Sequence, residues 1–354
     1  MTKNKFVQAL NFLSFNLGSV KPITGPFKLQ MELTHRCNSR CPTCGFWQEK
    51  KHDEDMSTEE CLQIIREAAK INVFRISFTG GEPLLRKDLF QLVRFAKQQG
   101  LKVNINTNAL LLWHYHEKII ASGVDSLAIS LDAPIAKIHD KNRGLEGAFE
   151  KTIKGIKKII AYEERPKILI CMTLNKNNCR YILAMVNFCK KLGIDYLAFE
   201  PAHSINEYWN CPDEMKMSSN DISEMEKQME LAIEEGNQIV VPPFSYYRQF
   251  GKFLKQPEYL RKFRATAGYF FATITANGDL YSSPVIEKKI GNLKKDSLIN
   301  LFFSKKFMNE RKRIKSGKHL IHWFNSTGPF DMSMYHLRRI HLKEIFNIVK
   351  SKRY

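Results

Sequence analysis

The residues best suited to chemistry lie in "ELTHRCNSRCPTCGFW", residues 32–47 of this 354-residue chain, where Cys37, Cys41 and Cys44 stand at C-x3-C-x2-C spacing. Thiols this close in sequence are candidates for a metal site or a redox pair. Structural zinc takes four ligands in a closed tetrahedron, usually as two spaced pairs. His35 precedes the group, but no second ligand pair follows nearby. A redox pair formed by Cys41 and Cys44 leaves Cys37 without a role. An iron-sulfur cube has four irons to ligate, so three protein thiolates leave one iron open. An open coordination position is where a metal meets a reactant.

Further polar groups recur downstream. Thr79-Gly80-Gly81-Glu82-Pro83 offers glycines that permit close backbone approach and a carboxylate able to accept from an ammonium group. Asn106-Thr107-Asn108, Ser130-Leu131-Asp132, Arg143 in "HDKNRGLEGAF" and Glu200 in "FEP" follow in order. The plain alternatives are a loop turn at the glycines, helix capping by Ser130 and Asp132, a surface ion pair for Arg143 and a solvated strand end for Glu200.

The elements that must position these groups read as six βα units. Short β-prone runs (KLQMEL, FRISF, KVNINT, SLAIS, KILICMTL, YLAFE) alternate with amphipathic stretches, the first opened by the capping box Ser57-x-x-Glu60 and the second entered near Asp88. Later helices are predicted near 112–121, 147–162, 179–191 and 220–235. Such alternation specifies a parallel sheet covered by helices, as a partial barrel or an open doubly wound sheet. The polar groups fall at the C-terminal ends of the strands, where parallel barrels build active sites.

On these motifs the chain resembles the radical S-adenosylmethionine (radical SAM) enzymes. The resemblance implies an α/β fold, a partial (β/α)6 TIM-type barrel with a small C-terminal β-hairpin/helix module. It also implies one 4Fe-4S cluster on Cys37, Cys41 and Cys44, with SAM chelating the open iron. A reducing electron donor such as flavodoxin or ferredoxin then drives cleavage of SAM to methionine and a 5′-deoxyadenosyl radical, which abstracts hydrogen from substrate. No catalytic side chain is expected beyond the cluster and SAM. The residues carried over as SAM contacts are Phe46, Gly80, Gly81, Glu82, Pro83, Asn108, Ser130, Asp132 and Arg143. Two positions depart from the pattern: Thr43 stands where an aromatic residue is common, with Phe46 or Trp47 as substitutes for stacking, and Ala109 stands where glycine is common.

After Pro242-Pro243 the pattern changes. YFFATITANGDLYSSPV reads as a hairpin turning at Asn277-Gly278. The segment resembles a SPASM module, but Ala265 and Ser283 occupy cysteine places, His319, His322 and Ser326 fall near others, and no cysteine follows Cys211. The expectation is a SPASM-like shape without a cluster. The domain expectation is 1–26 an amphipathic segment, 27–240 the barrel, 241–330 the SPASM-like module and 331–354 a basic helix.

A net charge of +19 sits mostly at the ends, with 17 Lys/Arg against 4 Asp/Glu in residues 288–354 and three lysines without an acid in 1–26. An anionic partner is implied: a membrane surface, an acidic substrate or nucleic acid. Nucleic acid is disfavoured because the tail carries no recognisable binding module. Leu10, Leu13 and Leu17 share a helical face with Phe6, and Leu342, Ile345, Phe346 and Val349 form another beside basic residues. Without a membrane-length apolar run or a signal cleavage site, the expected location is cytoplasmic, with peripheral docking on the inner membrane face as an option. The substrate is unidentified. An anionic or membrane-associated compound leads, with peptide modification and a non-catalytic iron-sulfur or zinc scaffold as alternatives. Cys61, Cys171, Cys179, Cys189 and Cys211 are expected to pack, with Cys211 also a candidate neighbour of substrate.

Overall fold

The computed structural model describes residues 3–49, 54–206, 208–235, 238–242, 244–263, 265–285 and 287–319. Six strands run parallel in chain order: β1 (Lys28–Glu32), β2 (Arg75–Thr79), β3 (Lys102–Thr107), β4 (Ser126–Ser130), β5 (Lys167–Leu174) and β6 (Tyr196–Pro201). Helix α1 (Lys3–Asn16) precedes them. The crossovers are α2 (Thr58–Lys70), α3 (Leu89–Gln98), α4 (Leu112–Ser122), α5 (Ala136–Arg143) with α6 (Ala148–Ile160), and α7 (Ile182–Leu192), while α8 (Ser219–Glu234) follows β6. The result is an α/β fold with an open, mostly parallel sheet, a partial TIM-type barrel.

Side-chain alternation gives the sheet two different faces. In β5, Ile168, Ile170, Met172 and Leu174 are fully buried against the helices, whereas Leu169, Cys171 and Thr173 point the other way and stay partly accessible. β1 repeats this, with Leu29 and Met31 in the dry core and Lys28 and Gln30 on the open face. Burying each such aliphatic side chain contributes about 1.5–3 kcal/mol, so the helical side fixes the register. The opposite face is left as a polar lumen. Gln30, Ser77, Asn104 and Ser126 stand side by side across it, with Asn104 Nδ2 donating to Ser77 Oγ at 2.8 Å.

Helix entry follows the local signals. Ser57 Oγ accepts from Glu60 N at 3.2 Å and Glu60 Oε2 accepts from Ser57 N at 2.7 Å, completing the capping box of α2. Asp88 precedes α3 but its side chain caps nothing; it pairs with Arg86 at 2.6 Å and accepts from Thr58 Oγ1 at 2.7 Å.

The hairpin does turn at Asn277-Gly278, with a positive φ of 89° confined to Gly278, while Thr275 Oγ1 donates to Asn277 Oδ1. It does not begin a separate sheet. β7 (Phe271–Ile274) lies parallel to β1, and β8 (Asp279–Tyr281) and β9 (Gly291–Asn292) follow antiparallel, giving the order β6-β5-β4-β3-β2-β1-β7-β8-β9. The free edge of β1 offers unpaired backbone groups that β7 satisfies, a pairing that local sequence does not announce. Four further short helices complete the described chain: α9 (Phe244–Tyr247), α10 (Phe250–Lys255), α11 (Leu298–Phe303) and α12 (Lys305–Lys315).

Helix α1 docks by a different face from the leucine face read in the sequence. Phe12 stacks on Phe270 at 4.4 Å, Phe15 meets Tyr269 edge-on at 4.9 Å, and Gln8 Nε2 donates to Asn72 O at 2.8 Å. Leu10, Leu13 and Leu17 are left exposed, while the aromatic side chains occupy the docking face. The Phe6 side chain, His322, Ser326, and the basic helix expected at 331–354 with its apolar face, lie outside the described residues.

Candidate active site

The cysteine loop leaves the C-terminal end of β1 and is clamped by its own sequence and by three neighbouring loops. Thr34 Oγ1 accepts from Arg36 N at 3.1 Å. Arg40 Nη1 donates to Cys37 O at 2.8 Å and to Ser39 O at 3.0 Å, and its guanidinium lies 5.3 Å from the Trp47 ring centre. Trp47 Nε1 donates to Cys41 O at 3.1 Å. Cys37, Cys41 and Cys44 remain partly accessible, whereas Cys61, Cys179, Cys189 and Cys211 are buried. Burial pushes the Cys37 thiol up to about 11 and the Cys44 thiol up to about 12, and raises Cys41 as well. These thiols ionise when a bound cation supplies the missing positive charge.

The Gly80-Gly81 turn lies directly against this loop. Gly81 N donates to Thr34 O at 2.7 Å and Glu82 N to Arg36 O at 2.8 Å. A Cβ on Gly81 would stand 2.2 Å from Arg36 O, and one on Gly80, where φ is 127°, 2.3 Å from Thr34 O. Glycine is therefore required by contact at one position and by both contact and conformation at the other. Glu82 is fully buried, and its carboxylate accepts from Leu84 N at 3.0 Å, Thr107 Oγ1 at 2.8 Å and Asn108 N at 2.7 Å. Burial raises its pKa to about 7 against those three bonds. The carboxylate that the sequence offers to an ammonium group is thus engaged inside the protein, tying the third strand's loop to this turn. Pro83 is buried at the start of the following 3-10 turn.

Asn108 reaches back to the cysteines: its Nδ2 lies 3.8 Å from Cys37 Sγ and donates to Asn38 Oδ1 at 2.8 Å and Ser39 Oγ at 3.2 Å. The next residue, Ala109, adopts φ 63°. It holds the left-handed conformation in which glycine is favoured, at some cost in strain.

Asp132 and Arg143 form a buried pair, Arg143 Nη2 donating to Asp132 Oδ1 at 2.7 Å, while Thr173 N donates to the same oxygen at 2.9 Å. Asp132 caps no helix; α5 begins after Ile135 without a side-chain cap. Burial works against the Arg143 charge, but Asp132 and Cys41, whose sulfur accepts from the guanidinium, outweigh it. Arg143 Nε is buried without a partner. Gly144, with φ 61°, would place a Cβ 2.1 Å from Arg40 O, and Arg40 N donates to Arg143 O at 3.1 Å. His139 Nδ1 accepts from Asp132 N at 3.1 Å, and burial lowers its pKa to about 3, so it is a neutral support. Ser130 is partly accessible at the end of β4, beside Cys171 of β5.

Phe46, expected beside an adenine, is only 5% exposed and packs among Tyr208 at 5.0 Å, Trp209 at 5.8 Å and His35 at 6.2 Å. The two loop aromatics arrive from the segment after β6, which also bridges Cys44 to Trp209. Their role in supporting the cysteine loop was missed in the sequence, where "NEYWNC" gives no spacing signal. Cys211 is buried, its Sγ 3.6 Å from Pro212 O. Cys171, expected to pack, instead faces the lumen. Its thiol is pushed up to about 12 by burial and Glu200, with Lys28 and Arg143 opposing. Ser283 is buried and Ala265 partly so.

The donor set fits a 4Fe-4S cluster with SAM. Three accessible thiols share one loop, Asn108 and Arg143 direct N–H groups at two of the sulfurs, and Arg143 keeps an unpartnered Nε for a carboxylate. Residues 31–189 match the Radical SAM superfamily. This segment is a radical SAM domain. Domains of this family carry a 4Fe-4S cluster and SAM. The chain is 35% identical over 170 residues to an AdoMet-dependent heme synthase of Methanosarcina barkeri, a match covering 48% of each chain. It is 30% identical over 178 residues to a probable GTP 3′,8-cyclase of Saccharolobus islandicus, covering 50% of this chain and 57% of that one. The chain thus spans about half the length of the curated relatives it matches, which are enzymes. Among solved structures, AdoMet-bound anSMEcpe superposes with a TM-score of 0.65 at 15% identity, covering 92% of this chain and 99% of that one. Streptococcus suis SuiB bound to S-adenosylmethionine gives 0.62 at 18% identity, covering 81% and 68%. At these identities the likeness is one of fold.

Proposed function

We propose that the chain is a radical SAM enzyme acting on an anionic or membrane-associated substrate. In this reading Cys37, Cys41 and Cys44 ligate one cluster. Gly80, Gly81, Ser130, Asp132 and Arg143 shape the adjoining SAM site, and Glu82, Pro83, Phe46 and Asn108 hold the loops that form it. When bound, the cluster and SAM supply a 5′-deoxyadenosyl radical, with the electron delivered by a donor of the flavodoxin or ferredoxin type. The protein's own work is positional. The glycine turn lets the cysteine loop lie flat, Asn108 and Arg143 direct N–H groups at sulfur, and Arg143 offers its free Nε to a carboxylate.

The observation that carries this reading is the convergence of four strand-end loops on the three accessible thiols. The test is anaerobic reconstitution followed by reduction with SAM. About four irons per chain and 5′-deoxyadenosine formation are expected, both lost in Cys41→Ala. Zinc in place of iron, or an iron-loaded protein that leaves SAM intact, would refute it. Approximately eight irons would refute the single-cluster expectation, which is supported by the absence of cysteine after Cys211.

Membrane association draws support from exposed apolar residues of α1 and of the segment that follows it. Leu13 is 44% exposed, Leu17 81% and Ile23 56%, beside Lys21, and Lys315 Nζ of the basic α12 donates to Gly18 O at 2.6 Å. Apolar side chains ringed by lysines suit an anionic bilayer surface. No helix among the described residues is long and apolar enough to cross a membrane.

A further inference from the structure

We propose that Arg36, Lys87, Lys137 and Lys141, set around Arg40, form the surface on which an acidic electron-transfer protein docks to reduce the cluster. The proposal rests on the radical SAM reading and adds to it the place where the electron enters.

The outer side of the cysteine loop is basic. Arg36 and Arg40 are exposed, and they directly precede Cys37 and Cys41. Arg40 Nη1 donates to Cys37 O at 2.8 Å, so one solvent-facing side chain touches the backbone of a proposed cluster ligand and adjoins the next. Pro42, exposed after Cys41, continues the same surface.

Two neighbouring loops add charge to it. Glu82 N donates to Arg36 O at 2.8 Å, which sets the loop after β2 against the cysteine loop, and Lys87 is exposed on that loop. Arg40 N donates to Arg143 O at 3.1 Å, which brings in the C-terminal end of α5. Lys137 and Lys141 lie four residues apart on that helix, on one face, and both are exposed. Leu85, 39% exposed, and Ile135, 41% exposed, precede Lys87 and Lys137 by two residues each. Apolar side chains bordered by charges are the make-up of a protein docking surface.

Charge balance sets this surface apart from the rest of the barrel. At the opposite end, Lys97 and Lys102 pair with Asp125 at 2.6 and 2.7 Å, and Arg165 and Lys167 with Asp195 at 2.5 and 2.8 Å. On the cysteine side Arg86 pairs with Asp88 at 2.6 Å and Arg143 with Asp132 at 2.7 Å. Arg36, Arg40, Lys87, Lys137 and Lys141 have no carboxylate partner among the described residues; Lys141 donates to the Asn177 amide oxygen at 3.3 Å. Glu82 and Asp132 are buried, and the Asp140 carboxylate accepts from Gly147 N at 2.8 Å and Phe149 N at 2.7 Å. Among the described residues, the exposed acids on these loops are Glu54 and Glu146.

Long, solvated cations hold one small anion poorly. A partner surface carrying several carboxylates meets them together and is steered to them during the encounter. Such a contact is small, transient and salt-sensitive. Within it one electron passes from the reduced partner to the cluster; no bond forms, and the partner loses the electron that the cluster gains.

The test uses flavodoxin, and separately ferredoxin, titrated calorimetrically into reconstituted holoprotein and into Cys41→Ala. Saturable binding of at least one donor is expected in both proteins, weakening as chloride is raised. Binding of one donor alone supports the surface and identifies the partner. Lys137→Glu/Lys141→Glu should weaken binding about tenfold and Lys87→Glu about threefold. Lys157→Glu/Lys158→Glu, the same charge change at exposed positions in the last turn of α6, should leave it unchanged. In Lys137→Glu/Lys141→Glu, 5′-deoxyadenosine formation should fall by a similar factor with limiting, enzymatically reduced donor and stay at the wild-type rate with dithionite, which needs no docking. Failure of both donors to bind, unchanged affinity in Lys137→Glu/Lys141→Glu and Lys87→Glu, or an equal loss in Lys157→Glu/Lys158→Glu would overturn the proposal. Absence of 5′-deoxyadenosine from wild-type protein with dithionite counts against the parent reading instead, because binding to Cys41→Ala is read without the SAM reaction.

Discussion

Replacing Gly81 by alanine isolates the contact between the glycine turn and the cysteine loop. The added Cβ would stand 2.2 Å from Arg36 O, 2.6 Å from Arg36 C and 2.7 Å from His35 O. Ordinary contact begins at 3.4 Å, so the loop must withdraw by 3.4 minus 2.2, about 1.2 Å. All three obstructing atoms are backbone, so no side-chain rotation relieves them. Gly81 has no positive φ, so the effect is steric. The withdrawal acts on Arg36, the residue before Cys37, and breaks the bonds from Gly81 N and Glu82 N. A displacement of ~1 Å in a catalytic constellation costs on the order of a hundredfold in rate. Gly81→Ala should therefore fold, retain cooperative thermal unfolding, and show about a hundredfold slower 5′-deoxyadenosine formation. Gly100→Ala, at φ 79° with nothing within 4 Å of its Cβ, carries conformational strain without this contact and should leave the rate unchanged. A Gly81→Ala protein with the wild-type rate and iron content would refute the reasoning.

Three other perturbations follow from the same structure. Burial raises the Glu32 pKa to about 8 from 4.5, so the folded carboxyl stays protonated where the unfolded one ionises, and stability falls as pH rises between those values. Glu32→Gln removes this cost, about 3 kcal/mol at pH 7; urea unfolding of cluster-free protein at pH 5 and pH 8 should show its advantage growing with pH, and a constant difference would count against the assignment. Asp132→Ala leaves Arg143 buried without a carboxylate and should cost about 3 kcal/mol or more, with Asp132→Ala/Arg143→Leu recovering part of it in thermal denaturation. Leu13→Ser/Leu17→Ser should reduce co-sedimentation with anionic but not neutral vesicles; equal binding by the variant would remove α1 from the membrane-facing surface.

Local signals were legible wherever chemistry and geometry coincide within a few residues. The cysteine spacing, the capping box at Ser57 and the turn at Gly278 each need only neighbouring atoms to be satisfied. The six βα units were legible for the same reason, but their order was not: alternation allowed a partial barrel or an open doubly wound sheet, and only the family resemblance pointed to the sequential order observed. The roles of Glu82 and Phe46 were harder to read, because burial and bonding to Thr107, Asn108, Tyr208 and Trp209 come from distant segments. The departure at Ala109 is explained only by its φ of 63°.

The amino-acid sequence by itself determined the donor atoms, their spacing and the six βα repeats, because these depend on residue type and short-range periodicity. Only the tertiary structure decided that β7 closes onto the free edge of β1 and that the exposed face of α1 is the leucine face. It also left Arg75 Nε and Thr273 Oγ1 buried without hydrogen-bond partners. Each of these is a competition among long-range contacts for the same surface, and its outcome depends on area and hydrogen-bond partners supplied by residues far away in the chain.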